Sequence, residues 1–261
     1  MLDKSSYSIS LGNTHQDGII SSTGMDRYNV KVSADTKLTN NWSSGFTANY
    51  ITTSIDKAVT SGNGLLRTVY AAPPSYDLAG IPSHVDGNPY TQNSFRGSFD
   101  NAYWAMENNK FTEDTNRFFG NVYASYQTDF GTTNHKLNAK YMVGVDAYTT
   151  HYVDSYGYGS NTGGGRGQIE NYGWTNATYN SLLTINYDWH INEDWGLNAV
   201  VGNEIIQSNR KKYYEYGTNY NFPGWNHINN ATTQQTEEET WKTVRWDSSV
   251  TYRLLTEICF I

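Results

Sequence analysis

The chain has 261 residues, 37% hydrophobic and 15% aromatic, with 22 Tyr and 8 Trp, so its apolar material sits in amphipathic rings more than in aliphatic side chains. A mean hydropathy of −0.67, with no apolar run near the roughly 18–20 residues of a membrane helix, excludes a helical membrane protein but not a strand-built barrel, whose hydropathy signal is weak. A net charge of −7 without a basic cluster argues against a nucleic-acid partner.

In chain order, period-two alternation predicts about eight strands. The first, near 5–12, places Tyr7, Ile9 and Leu11 on one face. A pair over 26–38 and 42–50 sets Tyr28, Val30, Val32, Ala34 and Leu38, then Trp42, Phe46, Ala48 and Tyr50, against Arg27, Lys31, Asp35 and Asn49. The fourth strand, near 114–130, gives Phe118, Val122, Ala124, Tyr126 and Phe130 on one face. The fifth, near 135–151, gives Leu137, Ala139, Tyr141, Val143, Val145 and Ala147. The sixth, near 175–190, alternates Tyr179, Leu183, Ile185, Tyr187 and Trp189 with Asn180, Thr184, Asn186 and Asp188. The seventh, near 194–210, carries Trp195, Leu197, Ala199, Val201 and Ile205, and the eighth, near 239–252, carries Val244, Trp246, Val250 and Tyr252. Only "GLLRTVYAA" at 64–72 has a helical period.

The connections alternate in length. Leu38 to Trp42, Phe130 to His135 and Trp189 to Asp194 are short turns rich in Asn, Thr, Gly and Asp. Long connections are expected at 13–24, 56–113, 152–174 and 211–238. Between antiparallel neighbours, strict alternation puts every short turn at one end of the sheet, as in outer-membrane barrels with short periplasmic turns and long extracellular loops. Trp42, Phe130, Trp189 and Trp195 flank the short turns and read as an aromatic girdle at a membrane interface. The fold expected is therefore all-β: an antiparallel up-and-down transmembrane β-barrel segment whose apolar face meets outer-membrane lipid. A soluble, aromatic-rich β-sheet protein that binds carbohydrate is the alternative, with the same face packed on a core.

Specific stretches then add a likeness. "DRYNVKVSADTKLTNNW" (26–42), "GFTANY" (45–50), "LLRTVYAAPPSYDLAG" (65–80), "VGVDAYTTHY" (143–152), "YNSLLTINYDW" (179–189) and "LNAVVGNEI" (197–205) resemble the barrel of the SusC/RagA family of TonB-linked outer-membrane transporters. In "NAYWAMENNKFTEDTNRFFGNVYASYQ" (101–127), Asn101, Tyr103, Trp104, Asp114, Arg117, Gly120 and Asn121 match that family's Asn-Pro-Tyr-Trp…Asp-x-x-Arg-x-x-Gly-Asn pattern, with Ala102 in place of the proline. The resemblance implies part of a barrel closed by about 22 strands around an N-terminal plug. It also implies a Gram-negative outer-membrane location, import of oligosaccharides or peptides, energy from the TonB complex and a SusD-like surface lipoprotein as partner. The barrel domain is expected over 1–252 with a non-native tail at 253–261. The sequence shows no signal peptide, TonB box or plug, so the chain by itself is expected not to transport.

No catalytic constellation emerges, and no enzyme activity or cofactor is expected. His15, His84, His135, His151, His190 and His227 lack metal-ligand spacing, and the single Cys259 has no partner for a disulfide or zinc site. "GGGRG" at 163–167 lacks the strand–loop–helix setting of a phosphate cradle. Adjacent carboxylates such as Glu113–Asp114 point to opposite faces of a strand, unlike the facing pair of a glycosidase. The expected substrate contacts are loop aromatics, chiefly Tyr76, Tyr103, Trp104, Trp174 and Trp225, against the competing reading that such rings pack the long loops together.

Overall fold

The computed structural model of the protein describes residues 5–59 and 64–256. Strands β1 (Ser5–Asp17), β2 (Gly24–Lys37) and β3 (Trp42–Lys57) lead into a long connection. That connection holds helix α1 (Leu65–Ala71), a small hairpin of β4 (His84–Val85) and β5 (Asn88–Gln92), and helix α2 (Ala102–Asn108). The sheet resumes with β6 (Lys110–Thr128), β7 (His135–Tyr156), β8 (Gln168–His190), β9 (Trp195–Tyr220) and β10 (Ala231–Thr256). Its eight strands lie in the order β1-β2-β3-β6-β7-β8-β9-β10, every neighbouring pair antiparallel, as an open up-and-down meander. All eight expected strands are present, and the helical stretch at 64–72 is α1.

The strands reach further than alternation placed them. The connections between long strands shrink to 18–23, 58–109, 157–167 and 221–230, so 13–17, 152–156, 168–174, 211–220 and 231–238 are sheet, not loop. The reason is physical: alternation is visible only where one face is apolar. Beyond that band no aliphatic alternation marks a face, and pairing of the backbone alone carries the strand. At its other end β10 keeps register with β9 through Thr256↔Trp195, so the loss of alternation after Tyr252 does not break the ladder there. Residues 257–261 lie outside the described part.

Two of the short turns share one construction. In "LTNNW" the N–H groups of Leu38 and Thr39 donate to the Trp42 carbonyl, and Thr39 Oγ1 accepts from Asn41 N and Trp42 N. In "INEDW" those of Ile191 and Asn192 donate to the Trp195 carbonyl, and Asn192 Oδ1 accepts from Asp194 N and Trp195 N. A side-chain acceptor at the second position satisfies N–H groups that the ladder cannot, which is why Thr and Asn stand there.

Register sorts the side chains into rows. One row across all eight strands reads Tyr7, Ala34, Phe46, Val122, Val143, Ser181, Ile205, Trp246. Another, on the opposite face, reads Ser10, Lys31, Asn49, Phe119, Asp146, Thr178, Ser208, Thr243. The apolar face is uncovered: Val122 is 53% exposed, Trp246 73% and Val250 73%. On β7 the band runs from Leu137 to Ala147, matching the roughly 9–11 residues with which a tilted strand crosses hydrocarbon.

Among the described residues, the buried hydrophobic side chains are Phe99, Ala102, Trp104, Ile169, Tyr220 and Ala231, all at the end of the sheet with the long connections. The core therefore lies at the loop end, shared between the 58–109 connection (Phe99, Ala102, Trp104) and the adjoining ends of β8, β9 and β10 (Ile169, Tyr220, Ala231). Its centre is polar: Asp100 accepts from Ser160 Oγ at 2.5 Å, Gln92 Nε2 at 2.7 Å and Asn161 N at 2.7 Å, tying 58–109 to 157–167. Asn226 Nδ2 donates to the Asn108 carbonyl at 3.1 Å and adds the β9–β10 connection. Helix α2 was not foreseen, although Asn101 is its N-cap and accepts from Tyr103 N and Trp104 N. Gly120 sits where a Cβ would lie 2.3 Å from the Thr47 carbonyl oxygen, so the close approach of β6 to β3 requires glycine.

Candidate functional site

The polar face gathers its chemistry toward the loop end, above the apolar band. There Tyr152 and Tyr172, neighbours on β7 and β8, stack with centroids 4.8 Å apart and planes 6° off parallel. Trp174 leans on Tyr152 at 5.6 Å. The Lys57 ammonium lies 4.5 Å over the Tyr152 ring and 3.4 Å from Glu113. Tyr172 Oη donates to Asp154 at 3.1 Å. Glu113 stands opposite Tyr152 across β6 and β7, and Glu170 is a diagonal neighbour of Tyr214 across β8 and β9.

Burial, with the neighbouring carboxylates second, sets the titration. Burial, then the Asp154 charge, pushes the Tyr172 phenol up to about 12. Burial leads again for Tyr152 and Tyr214, raised above the usual phenol value, with Glu113 and Glu170 adding to it. Glu170 is raised by burial first and by the neighbouring Asp154 second. The tyrosines thus stay neutral donors at physiological pH and can hydrogen-bond a polar ligand while presenting ring surface.

On β9, exposed Arg210 lies between two indoles, its guanidinium carbon 5.3 Å from the Trp174 centroid and 5.8 Å from that of Trp241. Further down the same face, Arg117 grips Asp146 with bonds of 2.9 and 2.6 Å. At the short-turn end the wall remains polar, where Asn198 Nδ2 donates to Asn186 Oδ1 at 2.9 Å and Asp188 Oδ1 at 2.6 Å. A cleft of about 430 Å³ lies beside Lys57 at the other end, lined among others by Ile20, Leu65, Met106 and Phe111.

The five aromatics expected to contact substrate do not form one site. Trp104 is fully buried and its Nε1 donates to the Pro89 carbonyl at 2.8 Å; it builds the loop core and presents no surface to a ligand. Tyr76 packs on Phe95 at 5.6 Å. Tyr103 is 43% exposed on α2. Trp225 is exposed and stacks between Phe222 and His227, at 5.8 and 5.1 Å. Trp174 lies inside β8, not in a loop, and alone of the five belongs to the polar wall. Tyr152 and Tyr214 fall in stretches expected as loop, because polar–aromatic alternation without aliphatic residues does not read as a strand face; Arg210 and Trp241 fall within expected strands, but their pairing comes only from the register of β9 with β10.

At the opposite end Trp42, Phe130, Trp189 and Trp195 all stand exposed beside the short turns. Trp42 packs on Tyr126 at 4.9 Å and Trp189 on His135 at 5.7 Å. Among the described residues, no group of three His, Cys, Asp or Glu is arranged to hold a metal ion. Nor is any helix among the described residues long and apolar enough to cross a membrane.

No protein-family model and no curated protein matches the sequence. Solved structures do match in fold. A chain of the RagAB peptide importer in its open-open state superposes with a TM-score of 0.75 at 13% identity, over 98% of this chain and 28% of that one. The fold is that of a barrel-wall segment. Other RagAB structures give 0.70 at 12% identity and, for the closed-closed state, 0.72 at 14%. The protein thus spans less than a third of the chains it resembles.

Proposed function

We propose that this chain is part of the barrel wall of a TonB-dependent outer-membrane transporter of the SusC/RagA type, serving uptake of peptides or oligosaccharides. The observation that carries the reading is the apolar band on one face of an eight-strand meander, uncovered, while the buried hydrophobic side chains among the described residues sit at the loop end of the sheet, in the long connections and the adjoining strand ends. A soluble sandwich would bury that face against a second layer. A barrel turns it to lipid and its polar face to the lumen. Trp42, Phe130, Trp189 and Trp195 then anchor the periplasmic interface, and the packed connections 58–109, 157–167 and 221–230 face outward, where a SusD-like lipoprotein would cap them. The likeness in fold to the RagAB importer chains supports this assignment and, by what those proteins import, favours peptides over oligosaccharides. Energy would come through TonB by way of parts of a longer protein, and these eight strands alone, with both sheet edges open, would not transport.

The test compares the full chain in detergent micelles with the same chain in plain buffer. The reading expects β-structure with native loop packing only in micelles. A monodisperse product in buffer that unfolds cooperatively would overturn it in favour of the soluble carbohydrate-binding alternative.

A further inference from the structure

We infer that Arg210 is a carboxylate-binding residue on the polar wall, so that the ligand drawn along that wall carries a carboxylate. This rests on the reading that the wall faces a transport lumen. Arg210 is held between Trp174 and Trp241, both rings within cation–π range. Trp241 sits directly opposite it on β10, and Trp174 is its diagonal neighbour on β8. Two rings within cation–π range restrict the guanidinium without using its N–H groups. Among the described residues no carboxylate lies within 4.0 Å of Arg210, and no hydrogen bond of its side chain is present.

The neighbouring carboxylates are already engaged. Asp146 is gripped by Arg117, Asp154 accepts from Tyr172, Glu113 faces Lys57, and Glu239 lies 3.9 Å from Lys212. A planar fork flanked by two rings and with its donors free suits bidentate capture of a carboxylate. The rings beside it offer stacking surface to whatever carries that group. A peptide C-terminus and a uronic acid in an oligosaccharide share this chemistry.

Calorimetric titration of the full chain in detergent micelles tests it, with two probe pairs: trialanine and its C-terminal amide, and trigalacturonate and its methyl ester. The inference expects the free acid of at least one pair to bind about tenfold or more tighter than its uncharged partner, and the pair showing the preference names the source. Arg210→Gln should erase that preference. Arg210→Lys, which keeps the charge but not the fork, should lose most of it. Arg27→Gln, which removes an exposed arginine from the same face of β2, should leave it intact. Equal binding of acid and uncharged partner in both pairs, no binding by any probe, or an equal loss in Arg27→Gln would overturn the inference. A chain that folds in micelles yet shows no preference refutes this site alone, whereas folding in plain buffer refutes the reading beneath it.

Discussion

Val143 lies within the apolar band of β7, with Val122 on one side and Ser181 on the other, and is 41% exposed. If that face meets lipid, Val143→Arg puts a guanidinium near the depth of the hydrocarbon centre, where a cationic substitution on a barrel's lipid face costs about 2–4 kcal/mol. The equilibrium for bilayer assembly would then fall about 30- to 1000-fold. Asn138→Arg, on the opposite face of the same strand, should cost well under 1 kcal/mol, because a long cation there remains in a wet lumen. The assay is urea-dependent folding of the longest reading frame that contains this chain into lipid vesicles, scored by protease protection. Equal effects of the two substitutions, in either direction, would refute the assignment of faces and with it the membrane reading.

Other consequences concern the loop end. Trp104→Ala should destabilise the packed connections by about 3–5 kcal/mol, seen as rapid proteolysis within 58–109, while Trp104→Phe should be milder because it loses mainly the bond to Pro89. Gly120→Ala forces a Cβ toward the Thr47 carbonyl and should cost about 1–3 kcal/mol in urea unfolding. The Tyr172 phenol, raised to about 12, favours the folded state below the ordinary phenol value near 10, and that contribution is lost as pH climbs through 12. In Tyr172→Phe the latest part of the phenolate absorbance titration should therefore shrink, leaving Tyr220, also near 12 through burial, as the remaining late group.

The strands, their order of short and long links and the two-faced character of the sheet follow from the sequence alone. One apolar side chain at every second position specifies both the strand and its register, because a slip by one residue would turn the whole set to the wrong face. "LTNNW" and "INEDW" likewise encode their turns through the acceptor at the second position. Tertiary structure decided the rest. Where no aliphatic alternation marks a face, as along 211–220 and 231–238, no local pattern distinguishes strand from loop, and only pairing with the neighbour extends the sheet. The loop core is also non-local: Trp104 looked like a ligand contact because an aromatic in a long connection is exposed unless distant segments meet over it, and Gln92, Asp100 and Ser160 bring them together. The setting of Arg210 is likewise invisible in sequence, since Trp174 and Trp241 flank it only through the registers of three strands.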